Sequence, residues 1–319
     1  MSQNGIHHVT AIAGDASRNL DFYTRILGQR FVKRTVNFDD PSAFHLYFGD
    51  NRGSPGTVMT FFPWPGASRG RAGVGELSET AYQIPLSAVE YWRVRLAASG
   101  VKEVTRFGDT VLQFEDPDGM QLALVGMPGI ESEEAWEGCE IPAKHAVRGI
   151  HGVTLLLSKI EQTGSILTDV FGFREVARTD AATRYAVPGT TVGGIVDLQV
   201  VSASLTGQLG RGSVHHLAFR ASDDATQAEM VSKLARNHGL RTTEQKDRDY
   251  FRSVYFREPG GVLFEIATDA PGFAVDEPAD RLGTALKLPS FLEARRREIE
   301  RALPPLVLRE RDHTVVAPL

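Results

Sequence analysis

Short apolar runs recur along the chain in a fixed order. Gly5-Ile6-His7-His8-Val9-Thr10 reads as an apolar strand carrying a histidine pair, and Gly149-Ile150-His151-Gly152-Val153-Thr154 is its near-copy. A helical segment follows each, and then a phrase, residues 22–28 and 166–173, in which Gly28 or Gly172 ends the helix as a left-handed residue. A different pair also matches. Residues 115–124 parallel residues 257–266 as strand, tight turn and strand, with Pro and Gly supplying the turn.

These matches predict four units, near residues 5–62, 76–126, 149–202 and 213–268, each a strand, a helix and then several strands. Ser87 is placed to cap a helix over residues 88–96 that Gly100 stops, and Ser222-Asp223-Asp224 precedes another that Gly239 follows. Residues 57–62 and 195–201 have strand character. Pro63-Trp64-Pro65-Gly66 and the Gly- and Arg-rich residues 68–75 form a loop, and the acidic, aperiodic residues 127–148 a linker. The expected fold is α+β, four βαβββ modules in two paired-module domains with mixed, strongly curved sheets. The division is 1–135, 145–272 and a C-terminal extension, 273–319. In that extension residues 289–303 read as one amphipathic helix with Phe291, Leu292, Ile299 and Leu303 apolar among Arg295, Arg296, Arg297 and Glu298. Pro304-Pro305 ends it, and the last ten residues are expected to be a loose tail.

Composition narrows the picture by exclusion. The 319 residues are 42% apolar and 24% charged, the balance of a globular protein long enough for about two domains. Net charge is −5, from 35 basic and 40 acidic residues without a basic tract, so nucleic acid is not an expected partner. No apolar run is long enough to span a membrane, and the first residues lack the pattern of a signal peptide. Cys139 is the only cysteine, which excludes an intrachain disulfide and suits a reducing cytoplasm, the expected location.

Candidate chemistry lies on three of the strands. Val214-His215-His216-Leu217-Ala218-Phe219 repeats the histidine pair, and Val262-Leu263-Phe264-Glu265-Ile266-Ala267 puts one carboxylate in an apolar strand. His8, His216 and Glu265 together are the ligand set of a non-haem iron(II) site. The repeat supplies a control, because the corresponding slots in the other units fall on Gly152, at or near Ala81, and on Ala123. Core packing gives no reason for polar groups to segregate in this way. The pattern implies one metal site per chain, built by units one and four. In regular strands the second histidine of each pair shares a face with Thr10 or Ala218, and His7 and His215 point to the other face.

Tyr255 precedes the Glu258-Pro259-Gly260-Gly261 turn. An odd-length loop sets it opposite Glu265, where it could donate to a metal-bound oxygen, with Arg248 stabilising developing negative charge. An ordinary cross-strand aromatic is the alternative for Tyr255. His45 alternates with apolar residues and reads as structural. His145, His238 and His313 are assigned no role.

With four such units and a His/His/Glu set, the chain resembles the vicinal oxygen chelate superfamily of glyoxalase I, bleomycin-resistance proteins and extradiol dioxygenases. The phrases Lys33-Arg34-Thr35-Val36-Asn37-Phe38-Asp39-Asp40-Pro41, Gly53-Ser54-Pro55-Gly56-Thr57 and Phe61-Phe62-Pro63-Trp64 narrow this to a likeness with hydroquinone-type ring-cleaving dioxygenases. The resemblance implies iron(II) on His8, His216 and Glu265, and supporting or substrate-contacting roles for His7, Thr10, His215, Arg248 and Tyr255. It implies a small aromatic diol and dioxygen as partners, and is compatible with a homo-oligomer. Manganese, zinc or nickel could take the same ligands in a purified sample. Two other functions compete. A glyoxalase-like isomerase needs a metal and a carboxylate base but no oxygen, and typically has Glu or Gln where His stands here. A small-molecule-binding resistance protein needs no metal ligands at all.

Overall fold

The computed structural model describes residues 4–306. Unit one contributes β1 (Ile6–Ala13), β2 (Arg30–Val36), β3 (Phe44–Gly49) and β4 (Val58–Pro63), and unit two β5 (Glu76–Pro85), β6 (Lys102–Arg106), β7 (Asp109–Glu115) and β8 (Gln121–Met127). Unit three contributes β9 (Ile150–Leu157), β10 (Arg174–Arg178), β11 (Ala182–Ala186) and β12 (Ile195–Val200). Unit four contributes β13 (Val214–Ala221), β14 (Lys246–Asp247), β15 (Arg252–Arg257) and β16 (Leu263–Thr268). One helical segment follows the first strand of each unit: α1 (Ala16–Asp21), α2 (Val89–Arg95), α3 (Glu161–Asp169) and α4 (Asp224–His238). Gly28 (φ +67°) and Gly172 (φ +72°) adopt the left-handed conformation expected of them. Asp223 caps α4 by accepting from Thr226 N at 2.7 Å. Ser87 does not cap α2, because a short 3₁₀ turn, Leu86–Ala88, leads into that helix with no side-chain bond.

The strands form two eight-stranded mixed sheets, in the orders β14-β15-β16-β13-β1-β4-β3-β2 and β10-β11-β12-β9-β5-β8-β7-β6. Hydrogen bonding runs across the division into 1–135 and 145–272, for each sheet takes one unit from each half. Within a unit the first strand pairs in parallel with the last, as β1 does with β4, and the other edge of the first strand is left open. That edge is closed by the first strand of another unit, β1 on β13 and β5 on β9, both antiparallel. The large apolar core draws on all four units and packs the helices against one face of the sheets, with Leu20, Trp92, Leu167 and Leu234 all buried in it. A smaller cluster including Tyr47, Val58, Ala218 and Phe251 lies on the opposite face of the first sheet.

The extension is anchored on unit one. Lys33 is fully buried, and its Nζ donates to Asp276 Oδ1 at 2.6 Å and Glu277 Oε2 at 2.5 Å, over the ring of Tyr250. The single helix expected over 289–303 is two pieces, a 3₁₀ turn (Ser290–Arg295) and α5 (Arg296–Ala302). Arg295, at φ −101° and ψ 8°, interrupts the helical path between them. Leu292, Ile299 and Leu303 are buried as the pattern requires. Phe291 instead is 65% exposed, its ring edge-on to Phe38. The expected C-terminal tail lies outside the described residues. Among those residues no helix is long and apolar enough to cross a membrane.

Candidate metal centre

The centre begins with an irregularity in two strands. Ile6 and Val9 both enter the large core, as do Val214 and Leu217, although two residues separate each pair. A regular strand would send them to opposite faces. The β1–β13 ladder slips between Ile6 and His8 and again between Thr10 and Ala11, opposite His216 and Val214. These bulges turn both histidines of each pair away from the core. The expectation that His7 and His215 point to the opposite face from their neighbours therefore fails, because it assumed regular strands.

Within each pair the rings then meet edge-on, their Nδ1 atoms 2.9 Å apart for His7 and His8 and 2.8 Å for His215 and His216. This leaves Nε2 of His8 and of His216 facing Glu265 Oε2, at 3.5 Å and 2.9 Å. The three ligand atoms lie within 4.8 Å of one another, and all three residues are buried. Parallel pairing of Ala218 with Glu265 and antiparallel pairing of Thr10 with His216 set this convergence. Ser253 donates to Glu265 Oε1 at 2.5 Å, while the fully buried Oε2 meets only the two imidazole Nε2 atoms. A buried carboxylate oxygen facing two imidazole nitrogens suits a cation, since an unpaired buried charge is costly.

The charge states agree with that fit. Burial pushes the Glu265 carboxyl up, but the facing imidazoles of His8 and His216 outweigh it and hold it well below the usual range. Burial lowers His216, against the pull of Glu265. Burial also lowers His7 to about 3, helped by His8, and His215 to about 4, helped by His216. The Thr268 backbone beside His7 pulls the other way without offsetting this. Neutral rings suit metal ligands and the partners that orient them.

Tyr255 stands directly across from Glu265 on β15, as the odd loop requires. Arg248 reaches over its ring, and Nε donates to the Tyr255 hydroxyl oxygen at 3.4 Å while Nη2 donates to Asp39 at 3.1 Å. Burial, with Glu265 nearby, pushes the Tyr255 phenol well above its ordinary value, so it keeps its proton. A cavity of about 330 Å³ opens over the three ligand candidates, enough for one substituted aromatic ring. Tyr255, Arg248 and His215 line it, whereas His7 and Thr10 lie behind the wall.

The model of the glyoxalase/bleomycin resistance protein/dioxygenase superfamily matches residues 5–124 and 149–266. The chain belongs to this superfamily. Within it the chain groups with ring-cleaving dioxygenases. It is 42% identical over 310 residues to the "putative ring-cleaving dioxygenase MhqO" of Bacillus subtilis, covering 97% of this chain and 98% of that one. It is 34% identical over 313 residues to the chlorohydroquinone/hydroquinone 1,2-dioxygenase of Sphingobium indicum, covering 95% and 97%. The crystal structure of a "putative dioxygenase" from Bacillus subtilis superimposes with a TM-score of 0.91 at 42% identity, over 96% of this chain and 98% of that one.

For a ring-cleaving dioxygenase, the cavity contains more than the ligand strands alone disclose. Two of the three phrases that carried the resemblance supply part of its wall, through Asn37, Phe38, Asp39, Phe62 and Trp64. Phe251 lies 5.0 Å from the ring of His8 and 5.3 Å from that of His7, packing both. Ser253 went unnoticed in the sequence, although it precedes Tyr255 by two residues and so shares its face. His45 also lines the cavity rather than only filling the core.

The second sheet holds the corresponding positions, with one correction. Thr154 pairs with Glu79 as Thr10 pairs with His216, so the slot matching His216 is Glu79, two residues from Ala81. Counting along β5 missed it because the slips in the ladder shift the register. Glu79 is bound by Arg106 and Gln113, and Arg184 is paired with both Asp197 and Asp109. A Cβ at Gly152 would come within 2.5 Å of the Ile195 carbonyl oxygen, so no imidazole fits where His8 sits in the other sheet. The control drawn from the repeat thus holds at Gly152 and Ala123 and fails at the third slot, where the Glu79 carboxylate is taken up by Arg106 and Gln113.

Proposed function

We propose that this chain is an iron(II)-dependent dioxygenase that opens the ring of a hydroquinone, with His8, His216 and Glu265 as the metal ligands. The observation that carries the reading is the buried convergence of Glu265 Oε2 with two imidazole Nε2 atoms whose other nitrogens are already engaged. The substrate class rests on the cavity size and on the hydroquinone named for the Sphingobium indicum relative. Bound iron would couple an electron-rich ring to dioxygen, using the positions that three protein ligands leave open.

The chain's own groups handle binding and protons. Tyr255 keeps its hydrogen and, because Arg248 occupies its oxygen as a donor, can give that hydrogen to a substrate oxygen held beside Glu265. Arg248 supplies fixed positive charge at the same wall, suited to an anionic substrate or ring-opened acid. His215 accepts at Nδ1 from His216 and, as a neutral ring, carries its hydrogen on Nε2 at the cavity. Phe38, Phe62, Trp64 and Phe251 give the ring apolar walls that exclude water.

Dioxygen uptake by enzyme loaded anaerobically with stoichiometric iron(II) tests this reading. Hydroquinone should drive uptake and yield a ring-opened acid. No uptake with any aromatic diol, with iron bound, would remove the dioxygenase reading and favour isomerase chemistry.

A further inference from the structure

The cavity has a second wall that the repeat makes comparable with the first. Thr10 pairs with Thr60, and Tyr47 stands across from Thr60. Ala218 pairs with Glu265, and Tyr255 stands across from Glu265. Matching His8 to His216 thus places Thr60 on Glu265, Tyr47 on Tyr255, and His45 on Ser253. The contacts repeat as well, since His45 bonds Thr60 at 2.8 Å where Ser253 bonds Glu265. Both tyrosines line the cavity, one from each unit.

Their hydrogen bonds have opposite polarity. Tyr255 receives a hydrogen from Arg248 and keeps its own to give. On the other wall Thr60 gives its hydrogen to Thr10 Oγ1 at 2.9 Å, so it accepts from His45 Nε2–H. A neutral imidazole then has only a lone pair at Nδ1. The Tyr47 hydroxyl, 2.8 Å from that atom, donates to it. Tyr47 therefore offers the cavity oxygen lone pairs and no hydrogen. Burial lowers His45 well below its usual range, so the ring stays neutral and the chain keeps its direction.

A diol with one oxygen on a metal has a second hydroxyl whose hydrogen needs an acceptor. We propose that Tyr47 is that acceptor, and that His45 is the positioning residue that fixes its polarity. This rests on the diol reading above. It makes the second hydroxyl of the substrate, as a donor, a determinant of specificity.

The test is calorimetric binding of hydroquinone and of 4-methoxyphenol to the zinc-loaded protein without oxygen, so that no turnover is needed. The wild type should favour hydroquinone by roughly tenfold, the scale of one hydrogen bond with its unpaired alternative. Tyr47→Phe should retain zinc and lose most of that preference. His45→Phe frees the Tyr47 hydrogen to donate, so affinity for 4-methoxyphenol should rise relative to hydroquinone. A merely structural role would lower both affinities together. An unchanged preference in Tyr47→Phe, or a parallel loss of both affinities in His45→Phe, overturns the assignment of these two residues alone. Failure of the zinc-loaded wild type to bind either phenol overturns the diol reading and this inference with it.

Discussion

The imidazole of His7 is locked to that of His8 through their Nδ1 atoms, 2.9 Å apart, so the ligand candidate is oriented by its own chain neighbour. His7→Phe keeps the ring volume and removes this restraint. Metal affinity should fall roughly 10- to 100-fold, the usual effect of losing a partner that orients a ligand. Competition with a fluorescent chelator measures it, and His215→Phe should behave alike.

Tyr255→Phe should retain metal and lower kcat by roughly 100-fold, with a smaller change in KM. The phenol stands across from Glu265 and keeps its proton well above neutral pH, so its loss removes a donor rather than a ligand. Steady-state oxygen uptake with parallel metal analysis separates the two. Equal activity in the variant would leave Tyr255 as cross-strand packing.

Acid should destabilise the metal-free protein through its buried histidines. His7, His151 and His215 are depressed from 6.5 to about 3, 4 and 4. The unfolded chain takes up protons below about pH 6.5 that the folded chain refuses, so their stability contribution is full above that pH and is lost toward pH 3–4. The urea midpoint should therefore drop between pH 7 and pH 4.5. His151 lies in the second sheet, away from the ligands, with its Nε2 unpartnered. His151→Leu should make the drop shallower, and an identical pH profile would contradict this account.

Lys33 and Glu277 test the anchoring of the extension. Lys33→Met leaves the buried Glu277 carboxylate uncompensated and should cost about 3–5 kcal/mol in chemical unfolding. Adding Glu277→Gln should recover much of that loss, and limited proteolysis should show cleavage near residues 273–289 in the single variant only.

The repeat, the unit boundaries and the convergence of His8, His216 and Glu265 were legible because periodicity and polar segregation are local facts of the chain. Tyr255 opposite Glu265 followed from the choice of an odd loop, since loop parity fixes cross-strand register. The direction of His7 and His215 was not, because a bulge changes side-chain parity without any glycine or proline to mark it. The slot that Glu79 fills was set two residues off, at Ala81, for the same reason. The place of His45 on the cavity wall was not legible, because alternation with apolar residues gives the face of a strand and not whether that face meets core or cavity. The interruption at Arg295 is likewise silent in a pattern that averages over whole turns.

The β1–β13 and β5–β9 seams have a consequence for a chain severed between its halves. Proteolytic nicking within residues 127–148 would yield two fragments, one bearing only His8 of the three ligand candidates and the other His216 and Glu265. Neither fragment could chelate the ion by itself, yet each would expose two long unsatisfied strand edges shaped for its counterpart. Reassembly of such fragments should thus be strengthened by the ion, which would act as a rivet across the cut.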